Sequence, residues 1–209
     1  MLVFCLLIVF MVSTVDSAVQ NVSCPVVPPR ELDWKELDGK WYIAEAATEI
    51  PMEGECAMVM FSHKSVTTEM YISWVANSTV SYYNGSVTIA VDSSGKGDLL
   101  LVTYTDSRVE TYSFLDVNYE HYAVVFACYN NSDGSSTYEL WKLSRSPHLK
   151  DTDRVKLDQA VANFSLQSTD FLHFNNTEDY CRYNGGTHVN PAALIMTSAA
   201  ALTLFRRLY

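Results

Sequence analysis

Gly39-Lys40-Trp41-Tyr42 opens the first of eight β-rich runs, and Trp141-Lys142-Leu143-Ser144-Arg145 closes the last. The runs cover about 39–49, 56–63, 66–75, 79–91, 98–104, 109–117, 121–129 and 136–145. Turn formers separate them: Pro51 with Gly54, Asn77-Ser78, Ser93 to Gly97, and Asn130 to Gly134. Such residues supply the backbone angles and local hydrogen bonds that reverse a chain. Short connections favour antiparallel neighbours, so the rhythm predicts an all-β sandwich or an up-and-down barrel. Eight such strands can close into a barrel that holds one small ligand.

After Pro147 the pattern changes. Val155, Leu157, Ala160, Val161 and Phe164 recur at helical spacing, and Asp151 and Asp153 sit where a helix N-terminus favours negative charge. One amphipathic helix is therefore expected against the outside of the barrel. A short strand from Asp170 to Phe174 then leads to Cys181. The chain divides into a leader over 1–17, a barrel domain over 18–183 and a tail over 184–209.

Met1 to Val12 is an apolar run of signal-peptide length, and Val15 and Ser17 suit a cut before Ala18. In the tail, Asn184, Gly185 and Gly186 precede a polar spacer from Thr187 to Asn190 and an apolar stretch from Ala192 to Phe205. That order matches a GPI-attachment signal, with Asn184 and Gly185 as attachment candidates, although the spacer is shorter than the usual ~8–12 residues. A marginal transmembrane tail or a disordered end are the alternatives. Six sequons, at Asn21, Asn77, Asn84, Asn130, Asn163 and Asn175, fit a secreted or surface glycoprotein. The net charge of −10 argues against nucleic acid and against an anionic membrane surface as partners. Cys5 falls in the leader, leaving Cys24, Cys56, Cys128 and Cys181, an even set that predicts two disulfides in an oxidising compartment. Spacing alone leaves three connectivities open. No pair has the spacing of a zinc site, so neither a metal nor a cofactor is expected.

Joined to the closing strand and the helix after it, the Gly-x-Trp opening resembles the lipocalin family. The resemblance covers about Cys24 to Cys181. The run Tyr119-Glu120-His121-Tyr122-Ala123-Val124-Val125-Phe126-Ala127-Cys128 is similar to the apolipoprotein D, Lazarillo and bilin-binding insect subgroup. The family's Thr-Asp-Tyr motif is represented by Val117-Asn118-Tyr119, which departs from it at two positions. The resemblance implies that Arg145 stacks over Trp41 at the closed end. It also implies the pairing Cys24–Cys128 and Cys56–Cys181, and a pocket for a retinoid, fatty acid, sterol or bilin.

Strand alternation sends every second side chain inward. Parity from Trp41 and Arg145 then places Ile43, Glu45, Ala47, Glu139, Trp141 and Leu143 inside. The resemblance adds Ala57, Val59, Phe61 and His63 on the second strand, and Tyr112 and Phe114 on the sixth. The ligand set is thus Trp141, Tyr112, Phe114, Phe61, Val59, Ile43 and Leu143. Glu45 and Glu139 have two readings, partners for an amine ligand or, the favoured one, solvated carboxylates at the mouth. Enzyme chemistry is disfavoured, because no thiol is left over and no G-x-S-x-G motif occurs. A haem carrier would depend on His63. A surface protein that is GPI-anchored and recognises a cell-surface receptor is the second reading, beside an extracellular carrier of a small hydrophobic ligand.

Overall fold

The computed structural model describes residues 18–20, 23–64, 67–91 and 95–185. The leader, the sequon at Asn21 and the apolar stretch of the tail lie outside the described residues. Eight strands run in sequence order: β2 (Gly39–Ala47), β3 (Glu55–Lys64), β4 (Thr67–Ala76), β5 (Thr79–Val91), β6 (Asp98–Tyr104), β7 (Val109–Asn118), β8 (Tyr122–Asn130) and β9 (Ser136–Ser144). Each pairs antiparallel with the next, and β9 pairs back onto β2, so the sheet closes into a barrel. Two short strands join it: β1 (Ala18–Gln20) on β9 and β10 (Leu172–His173) on β2. The expected eight-strand barrel is therefore present, β10 falls within the short strand expected over Asp170 to Phe174, and β1 is the strand that the sequence rhythm did not indicate. Two further helices escaped that rhythm too, α1 (Trp34–Leu37) and α3 (Glu178–Gly185).

The closed end is built around Trp41. Its indole is fully buried and donates from Nε1 to Leu37 O at 2.9 Å. The Arg145 guanidinium lies 3.7 Å from the ring centroid. Its nitrogens donate to the carbonyls of Tyr119, Lys40 and Glu36. Gly39 adopts φ +93°, and a Cβ there would stand 3.6 Å from Arg145 Nη1. The left-handed backbone, more than crowding, calls for glycine.

The seam between β2 and β9 carries a bulge. Ile43 opposes Leu143 but Glu45 opposes Lys142, so Ala44 is the extra residue. A bulge reverses the facing of every later side chain relative to simple alternation. Ala46 consequently packs in the barrel core, and two residues expected inside do not. Ala47 lies in the outer cluster with Leu157, Ala160 and Val161. Glu45 points outward into an ion cluster beneath the helix.

That helix, α2 (Asp151–Ala162), buries Leu157, Ala160 and Val161. Val155, expected on the apolar face, is 62% exposed, and Phe164 falls beyond the helix end. The helix is held as much by charge as by its narrow apolar stripe. Lys142 Nζ, on the outer face of β9, lies 2.5 Å from Glu45 Oε2 and 2.7 Å from Asp158 Oδ1. Arg154 Nη1 reaches Glu45 Oε1 at 3.3 Å. Disulfides Cys24–Cys128 and Cys56–Cys181 tie the N-terminal arm to β8 and α3 to β3, which is the pairing the resemblance implied.

Two stability predictions follow from this packing. Arg145→Ala removes the stack and its hydrogen bonds and is expected to cost roughly 2–3 kcal/mol in urea unfolding. Lys142→Ala leaves Glu45 buried without its lysine and is expected to cost about 3–5 kcal/mol in the same assay.

Candidate functional site

An apolar cavity lies inside the barrel above the Trp41 floor. Five of the seven expected residues line it: Val59 and Phe61 on β3, Tyr112 on β7, and Trp141 and Leu143 on β9. Phe114 and Ile43 are buried in the same core, but neither forms the cavity wall. Four lining residues were not anticipated: Met70 on β4, Leu100 and Tyr104 on β6, and Val125 on β8. Those strands carry no motif to anchor their parity. Their signal was available in the alternation Met70, Ile72, Trp74 and again in Leu100, Val102, Tyr104.

The cavity is narrow. It spans about 270 Å³, counting space continuous with solvent, and its interior has room for about one water. Ligand pockets usually measure about 300–1,000 Å³. A molecule of sterol or bilin size therefore requires the lining side chains to move, and the unbranched Met70 is well suited to it. His63 sits at the closed end rather than in the cavity, with Nδ1 2.8 Å from Thr68 Oγ1. The residue on which a haem carrier would depend is thus absent from the wall.

Toward the open end the lining turns polar. Tyr112 donates to Glu139 Oε2 at 2.5 Å, and the Tyr104 and Tyr112 hydroxyls are 2.8 Å apart. Since Tyr112 commits its proton to Glu139, Tyr104 is the donor of that pair. Burial, reinforced by the Glu139 charge, raises the pKa of both phenols, so both remain protonated. Glu139 does face inward, as parity indicated. It is only 3% exposed, however, so it is not the solvated mouth carboxylate expected of it.

Arg108, in the turn between β6 and β7, crosses this layer. Its Nη1 donates to Glu49 Oε2 at 3.3 Å and to Glu139 Oε1 at 3.4 Å. Its Nε stands 3.8 Å from Glu110 Oε1, and its carbon lies 5.0 Å from the Tyr104 ring centroid. The β6–β7 turn is thereby tied to the β2–β3 loop and to β9, across the mouth. Glu110 itself is 7% exposed, and its Oε2 has no hydrogen-bond partner among the described residues. Burial pushes its pKa up to about 7; Glu139 adds to the rise and Arg108 partly offsets it. The indole Nε1 of Trp141 is likewise buried without a partner among the described residues.

Of the sequons within the described residues, Asn77, Asn130, Asn163 and Asn175 are exposed, and Asn84 on β5 is half-buried. Asn184 and Gly185 end α3.

No family model matches the chain. In sequence it is similar to the Lazarillo protein of Schistocerca americana, 26% identical over 176 residues, covering 82% of this chain and 80% of that protein. In structure it is similar to insecticyanin of the tobacco hornworm Manduca sexta, with a TM-score of 0.68 and 21% identity over 79% of this chain and 92% of that one. Lobster apocrustacyanin A1 is similar as well, with a TM-score of 0.62 and 19% identity over 77% and 92% of the respective chains.

A carboxylate with a raised pKa destabilises the folded chain once it ionises. Below about pH 4.5 Glu110 is protonated both folded and unfolded. Between there and its folded value of about 7 the unfolded chain loses this proton first, so stability falls as pH rises. Glu110→Gln is therefore expected to gain about 2 kcal/mol over the wild type at about pH 8 and little at about pH 4.5, as read by thermal unfolding across pH.

Proposed function

We propose that this chain, a lipocalin in its barrel and in its likeness to Lazarillo, is a secreted carrier of one small apolar molecule. It is not an enzyme in this reading. The observation that carries the proposal is an apolar cavity inside a barrel whose floor is plugged by Trp41 and Arg145 and whose mouth is polar. Trp141 and Tyr112, edge to face at 6.1 Å, form the main contact surface. Val59, Phe61 and Leu143 complete the wall, while Ile43 and Phe114 back it from the core. Affinity comes from apolar area removed from water, at about 25 cal/mol per Å² before the costs of binding. Retinoids, fatty acids, sterols and bilins are the classes that suit such a wall. The two disulfides fit the oxidising compartment in which a secreted carrier works.

A second reading is a glycosylated surface protein, GPI-anchored through Asn184 or Gly185, that recognises a cell-surface receptor. It is favoured by the exposure of Asn77, Asn130, Asn163 and Asn175, which leaves much of the outer face available to glycans. Release from cells by a GPI-specific phospholipase tests the anchor.

The carrier reading is tested by native mass spectrometry with organic extraction of protein secreted from eukaryotic cells. A co-purifying apolar molecule is expected, with affinity reduced at least about tenfold in the Trp141→Ala, Tyr112→Phe double variant. Absence of any bound molecule, together with no tryptophan quenching by retinoids, fatty acids, sterols or bilins, overturns it.

A further inference from the structure

The layer above the cavity sets one guanidinium against three carboxylates. Arg108 approaches Glu49, Glu139 and Glu110 at 3.3, 3.4 and 3.8 Å. Asp106, in the same turn, adds a further negative charge and is already engaged by the Tyr83 hydroxyl. Glu139 is satisfied by Tyr112, Arg108 and the Glu49 amide. Glu110 is not. Its Oε2 is buried and unpartnered on the inward-facing side of β7, two residues before Tyr112.

An unpaired buried carboxylate oxygen is costly, and among the described residues the site offers it no second cation. A ligand carboxylate in this layer would have to compete with three protein carboxylates for Arg108. A ligand ammonium would meet a deficit of positive charge and an acceptor without a donor. Resting on the carrier reading, we propose that the mouth selects an apolar molecule carrying a basic nitrogen, whose ammonium group donates to Glu110 Oε2 while its apolar body lies against Trp141 and Tyr112.

The same geometry sets the pH dependence. The charged and titratable groups around Glu110 are Arg108 and Asp106 from the β6–β7 turn, Glu139 from β9, Glu49 from the β2–β3 loop, Tyr104 from β6 and Tyr112 from β7. Both tyrosines stay protonated, and Glu110, with a pKa of about 7, is the group that changes charge near neutrality. Binding an ammonium displaces the Glu110 proton to solvent, so affinity rises as pH rises through that value.

The test uses three probes of equal chain length on the full secreted protein: dodecylamine, dodecanol and dodecanoate. Tryptophan quenching gives each affinity, and competition by dodecanol shows that the amine occupies the barrel rather than the acidic surface. At about pH 7.5 the amine is expected to bind at least about tenfold more tightly than dodecanol, with dodecanoate weakest. The amine-to-alcohol ratio is expected to fall toward unity in Glu110→Gln. In the wild type it should rise several-fold from about pH 5.5 to about pH 8, a measurement that needs no variant to fold. If dodecanol binds but the amine shows no preference, or the preference survives in Glu110→Gln, the inference is overturned and the carrier reading stands. If none of the three binds, the inference is overturned, and the carrier reading is decided separately by the extraction and by quenching with retinoids, sterols and bilins.

Discussion

Closure of the sheet along the β2–β9 seam is the constraint on which the rest of the structure depends. Below the seam's bulge, β2 pairs with β3 on one side and β9 on the other, which brings Trp41 over the floor and Arg145 onto it. Above the bulge, β2 leaves β3 and takes β10 as its neighbour. Asn176 Nδ2 donates to Ile43 O and Phe174 N donates to Ala44 O, so the backbone groups freed by the irregularity are satisfied by the C-terminal segment. The Cys56–Cys181 bridge then ties that segment to β3. One inserted residue therefore reverses the facing of β2 toward the open end and assigns the segment after α2 its place.

The bulge also separates two ion clusters of different character. Outside, Lys142 and Arg154 face Glu45 and Asp158, two cations against two anions, and every charge has a close partner. This balanced set fastens α2 to the barrel, where Leu157, Ala160 and Val161 supply only a narrow apolar contact. Inside, a single arginine serves three carboxylates, and one carboxylate oxygen has no donor. Buried polar networks that are fully satisfied give rigidity and specificity, whereas a half-satisfied one is a source of strain. The first arrangement is structural. The second leaves room for a group from outside the chain.

Much of the fold was legible before the structure. Turn residues at regular intervals marked eight strands, and their short connections required antiparallel neighbours. Gly39 to Tyr42 and Trp141 to Arg145 anchored the parity of β2 and β9, which placed Trp141, Leu143 and Glu139 correctly inside. The parity of β3 and β7 came from family resemblance, as did the disulfide pairing. Met70, Leu100, Tyr104 and Val125 were missed for want of such an anchor on β4, β6 and β8. Arg108 and Glu110 were missed because a charged pair at a turn reads as solvated surface until the strands around it are brought together.

The amino-acid sequence by itself determined the number and order of the barrel strands and the helix that follows them, while the residues of the floor were read from the family resemblance. The strands and the helix depend on local periodicity and turn chemistry, which act over a few residues. Only the tertiary structure decided that Glu45 and Ala47 face outward, that Glu139 is buried and that Arg108 spans three carboxylates across the mouth. Each of those outcomes depends on the register between strands far apart in the chain, and one extra residue at Ala44 reverses every later side chain on β2.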